Sequence, residues 1–132
     1  MRRRSGAMEA WRVEAWPMLT RVMEAEDRLI AGSEGPAVVV NASCDQLDAA
    51  VNHAQSWVER HPCPDGKFGL YVSELISASR GMWAIMQMIA REAPNGGWMS
   101  DCDLTARVGT NLMDRIQQAS TARILLRQWV AI

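Results

Sequence analysis

The amino-acid sequence predicts an all-α protein: a four-helix bundle of up-down-up-down topology with its third helix at the centre. Three observations carry this reading. Apolar residues recur at helical spacing in four separate stretches. Runs rich in glycine and proline divide those stretches at Gly32–Pro36, His61–Gly66 and Pro94–Gly97. Finally, 48% of the 132 residues are apolar, which suffices for one core, and the length suits one domain.

The first helix is expected from Met8 to Ala31, with Trp11, Ala15, Met18, Leu19, Val22, Leu29 and Ile30 on its inner stripe. Pro17 lacks a backbone donor, so the helix should either kink there or begin there. Val38-Val39-Val40 is β-branched and reads as an extended linker strapped across the bundle. The second helix is expected to start at Ser43, with Gln46 completing a capping box and Asp45 and Asp48 in its first turns. Leu47, Ala50, Val51, Ala54 and Val58 face inward, and Pro62 ends the helix near Arg60.

The third helix runs from about Lys67 to Glu92. The segment Phe68–Ala90 holds only two charged residues, Glu74 and Arg80, so this helix should be buried on more than one side. One apolar ridge holds Val72, Ile76, Ser79, Met82 or Trp83, Met86 and Ile89. A second holds Tyr71, Ala78 and Ile85 and calls for a further neighbour. The fourth helix starts at Ser100 or Asp101, with Ser100 and Asp103 as a capping box and Asp103 spaced to pair with Arg107. Its inward set is Val108, Leu112, Ile116, Ala119, Leu126, Trp129 and Val130. Residues 1–7 form a basic, disordered tail around Arg2, Arg3 and Arg4, and residues 8–132 form the domain.

A net charge of −1 offers no global attraction to nucleic acid or to an anionic membrane. Glu74, Arg80 and Gln87 interrupt the longest apolar segment, which argues against a membrane span. Three cysteines at irregular spacing are no disulfide framework, and no signal-peptide pattern is visible, so a cytoplasmic location is expected. Arginine outnumbers lysine thirteen to one, which leans towards a bacterial source with a GC-rich genome.

Signals for chemistry are sparse. Neither histidine follows a glutamate by three residues, against a di-iron carboxylate bundle. His61 and Cys63 supply at most half a metal site, and no metal or cofactor is expected. No phosphate-binding glycine loop and no nucleophile elbow occurs, so the chain reads as non-enzymatic. The expected function is that of a helical interaction protein, a homo-oligomer or the partner of another protein. Its contact residues would be Tyr71, Ala78 and Ile85 with Trp16 and Trp98, because tryptophan is favoured at interfaces. Trp83 and Trp129 are assigned to core filling. One alternative is a small-molecule or haem carrier with a pocket of Glu74, Met82, Trp83, Met86 and Met113. A second is a DNA-associated regulator, since Leu104–Thr110 partly matches a helix-turn-helix bent at Gly109. Arg115 stands where that motif needs an apolar anchor, so nucleic acid is disfavoured.

Overall fold

A computed structural model describes residues 6–131, with side chains as far as 129. Arg2, Arg3, Arg4 and the side chain of Val130 therefore lie outside the described set. Four helices follow in order: α1 Gly6–Ala31, α2 Ala37–Arg60, α3 Gly66–Glu92 and α4 Cys102–Ala131. A single 3-10 turn, Trp98–Ser100, precedes α4. Among the described residues there is no strand.

The closest packing joins successive helices, α3 with α4 above all, whereas the backbones of α1 and α4 lie farther apart. Short links between packed neighbours give the up-down-up-down bundle. Two of the connections meet at one end. There Gly97 N–H donates to Glu34 O at 2.8 Å, Ala37 N–H to Pro94 O at 2.9 Å, and Met99 N–H to the Glu34 carboxylate at 3.1 Å. At the other end, Trp11 packs against Trp57 and Phe68, and Phe68 against Trp129, with ring centroids 5.5 to 5.8 Å apart.

Three local expectations are corrected. Helix α1 runs unbroken through Pro17, so it does not begin there. Pro17 is exposed, as is Val13 one turn earlier, so water can satisfy the carbonyl that Pro17 cannot. The buried run Trp11, Ala15, Leu19 and Val22 holds both halves on one core face.

Val38, Val39 and Val40 are the first turn of α2 and not a linker. Val40 is buried, and that packing overrides β-propensity. Pro36 occupies the N-cap without a side-chain hydrogen bond, and Pro94 O takes the freed Ala37 N–H instead. Ser43 consequently lies inside the helix and caps nothing.

At α4 the cap is Asp101 and not Ser100: Asp101 Oδ1 accepts from Leu104 N–H at 3.0 Å. Arg107 pairs with Glu92 at 2.7 Å rather than with Asp103, tying the end of α3 to the start of α4. That pair lowers the Glu92 pKa, chiefly through its hydrogen bond with Arg107. Gly109 does not break the helix, so the helix-turn-helix geometry is absent. Asp101→Ala is expected to cost about 1 kcal/mol and Ser100→Ala close to nothing, read from urea unfolding midpoints. Equal effects would contradict this cap assignment.

Candidate functional site

The five residues expected to contact a partner do not share an open surface in a single copy. Ala78 is wholly buried, and Tyr71 and Ile85 are half-buried against the core. Helix α4 borders that ridge: Tyr71 and Glu74 share a groove with Gln118, Thr121 and Leu125, and Ile85 shares one with Asn111, Asp114 and Arg115. Trp16 is half-buried on the core, and Trp98 is buried in the 3-10 turn. The five residues of the alternative pocket also do not converge. Met82 and Met86 are core, Met113 is exposed, and the Glu74 carboxylate faces outward, accepting from Gln118 Nε2 at 2.6 Å.

Trp83, which the sequence assigns to core filling, is 37% exposed instead. Its position in α3 explains this. Trp83 follows Met82 by 100° around the helix and so leaves the buried arc that Ser79, Met82 and Met86 define. It borders a cleft of about 310 Å3 between α2 and α3, with Leu47, Val51 and Ala84 as apolar lining and Asp48 and Arg80 beside them. Arg80 spans the two helices: its guanidinium donates to the Gln55 side chain and, at 3.0 Å, to Asn52 Oδ1. The face thus has an apolar centre and a polar edge.

Ser79 joins that cleft to a buried charge cluster. Its hydroxyl donates to Glu26 Oε2 at 2.5 Å, and both residues are fully buried. On the other side, Arg123 of α4 donates to Glu26 Oε1 at 2.6 Å, to Asp27 Oδ1 at 2.8 Å and to Met23 O at 2.8 Å. Neither Glu26 nor Arg123 is among the residues that the sequence singles out. A signal was present. Glu26 lies four residues after Val22 and three before Leu29, both on the inner stripe of α1. Ser79 likewise sits within an apolar ridge.

Burial raises the Glu26 pKa above the ordinary carboxylate range, although the hydrogen bonds from Ser79 and Arg123 pull it down. For Arg123, burial works against the charge, but Glu26 and Asp27 outweigh it and its pKa is raised. The folded protein therefore holds the Glu26 proton more tightly than the unfolded chain does. The stability this contributes is complete below the ordinary carboxylate pKa and is lost as pH rises through the raised folded value. The wild type is expected to lose stability relative to a Glu26→Gln variant as pH rises from the ordinary carboxylate pKa through the raised folded value. Urea unfolding of both proteins across that window measures it. Parallel curves would contradict the raised pKa.

Burial disfavours the thiolate at both Cys44 and Cys63. The Cys44 thiol is buried and pushed up to about 11 by that burial. Burial also raises Cys63, whose thiol lies 3.2 Å from Asp65 O and 3.8 Å from Met8 Sδ. His61 stacks on Trp57 and places Nδ1 3.0 Å from Trp57 O, so it is engaged elsewhere. Comparison with protein-family models, curated proteins and solved structures finds no match. Among the described residues, no three His, Cys, Asp or Glu side chains gather as metal ligands, and no helix is long and apolar enough to cross a membrane.

Proposed function

We propose that this chain is a non-enzymatic helical interaction protein, acting through contact with another protein surface, and that the contact is centred on Trp83. The half-exposed Trp83 beside an apolar cleft is the observation that carries the reading. Tryptophan anchors flanked by apolar pockets and polar rims supply much of the affinity at protein interfaces. Ala84 lies exposed beside Trp83, over the buried Leu47 and Val51, and Asp48, Asn52 and Arg80 provide such a rim. The carrier reading has less support, because Met82 and Met86 are packed inside the core. The DNA reading has less support, because α4 is one continuous helix.

The test compares Trp83→Glu with Val13→Glu, a change at a 58% exposed position on α1. Losing the tryptophan anchor is expected to weaken binding by about 2 kcal/mol or more, roughly thirtyfold in Kd. Proteins captured from a lysate of the native host, and any self-associated species in light scattering, should be lost with Trp83→Glu and kept with Val13→Glu. If neither readout responds to Trp83, the reading is wrong.

A further inference from the structure

We infer that Asn95 is a site of spontaneous deamidation, and that its conversion to isoaspartate releases the clasp between the α1–α2 and α3–α4 loops. The inference is independent of the Trp83 reading. Its first support is position. Asn95 is exposed in the turn that Gly96 N–H closes on Ala93 O at 3.0 Å. A turn held by so few bonds opens locally far more often than a helix interior does. The other asparagines, Asn41, Asn52 and Asn111, lie inside α2 and α4. There, helical hydrogen bonding fixes the amide that follows each of them.

The second support is the residue that follows. Deamidation needs the Asn95 side-chain carbonyl carbon to reach Gly96 N, and a glycine leaves that approach open. The clasp itself calls for this glycine. At φ +88° an added Cβ would stand 2.5 Å from Glu34 O and 2.9 Å from the Gly35 carbonyl carbon. The close contact that makes position 96 a glycine position therefore also denies Asn95 a steric shield.

The reaction consumes only water. Gly96 N loses its proton to solvent and attacks Asn95 Cγ. The Cγ–Nδ2 bond breaks, ammonia leaves with a proton from solvent, and a succinimide ring closes. Water then opens the ring. Cleavage of the bond from Cγ to Gly96 N gives aspartate. Cleavage of the bond from the Asn95 backbone carbonyl carbon to Gly96 N gives isoaspartate, whose main chain runs through Cβ and Cγ and is longer by a methylene. That methylene falls inside the clasp. On one side of it Pro94 O accepts from Ala37 N–H at 2.9 Å, and on the other Gly97 N–H donates to Glu34 O at 2.8 Å. With Gly96 already against Glu34 and Gly35, the loop has no slack to absorb the insertion.

The test is incubation of the folded full chain for several weeks in mildly alkaline buffer at physiological temperature, followed by peptide mapping. Conversion at Asn95 should exceed that at Asn41, Asn52 and Asn111 by about tenfold or more, and Asn95→Ser should abolish it. The isoaspartate form, separated by chromatography, should unfold at a distinctly lower urea concentration than fresh protein. Freshly purified Asn95→Asp, which carries the charge without the longer main chain, should unfold with the wild type. An Asn95 that stays intact, or converts no faster than the helical asparagines, overturns the site. An isoaspartate form as stable as fresh protein, or an Asn95→Asp variant as unstable as the isoaspartate form, overturns the release of the clasp.

Discussion

Arg123→Ala should destabilise the fold by about 3–5 kcal/mol. Among the described residues the guanidinium is the one cation that touches the buried Glu26 carboxylate, and it also bonds Asp27 and Met23 O. Removing it leaves a fully buried charge with only the Ser79 hydroxyl for company. A single domain has about 5–15 kcal/mol in total, so the variant should unfold at a markedly lower urea concentration. Glu26→Gln should cost less than half as much, because its carbonyl oxygen can still accept from Arg123 while its amide N–H donates to the Ser79 hydroxyl oxygen. The joint replacement Glu26→Leu/Arg123→Met should recover most of the loss, since two apolar groups leave no charge stranded. A cost below about 1 kcal/mol for Arg123→Ala would mean that Glu26 is already neutral at the pH of the measurement.

Gly96→Ala is the second large effect, expected at about 3 kcal/mol. Gly96 has φ +88°, and an added Cβ would stand 2.5 Å from Glu34 O and 2.9 Å from the Gly35 carbonyl carbon. Both are backbone atoms in the facing loop, so the loops must part. Parting them strains the bonds of Gly97 to Glu34 and of Ala37 to Pro94. The neighbouring Gly97 is the control. Its φ is +72°, but a Cβ there meets nothing within 4 Å. Gly97→Ala should therefore show only the left-handed strain, about 1 kcal/mol, or roughly 4 °C in Tm for a domain of this size. Gly96→Ala should fall by about 10 °C. Similar melting temperatures for the two would place the cost in conformation alone and remove the close approach from the account.

The helices were legible because their inner stripes and breakers repeat the physics of amphipathic packing. Trp11, Leu47, Val72 and Leu112 lie inside as their spacing requires. The start of α2 was not legible, and at α4 the sequence left Ser100 and Asp101 both open as the start. A capping signal at Ser43 competes with one that comes from another loop, Pro94 O, and sequence spacing cannot show a donor's distant acceptor. Trp83 and Trp98 exchanged their expected places for a similar reason. A residue one step off the buried arc is decided by where the next helix lies, and no local pattern contains that. The charge cluster was half visible: Glu26 and Ser79 interrupt apolar stripes, but Arg123 lies 97 residues from Glu26.

The distribution of packing also governs how this chain reaches its native state. Nearly all close helix contacts are between consecutive segments, so three hairpins can assemble from nearby parts of the chain with small loop-closure entropy. The Arg123 clasp between α1 and α4 is one of the long-range exceptions, and it closes a ring that the hairpins have already shaped. Weakening it should leave the refolding rate almost untouched and accelerate unfolding, the kinetic mark of a bond absent from the transition state.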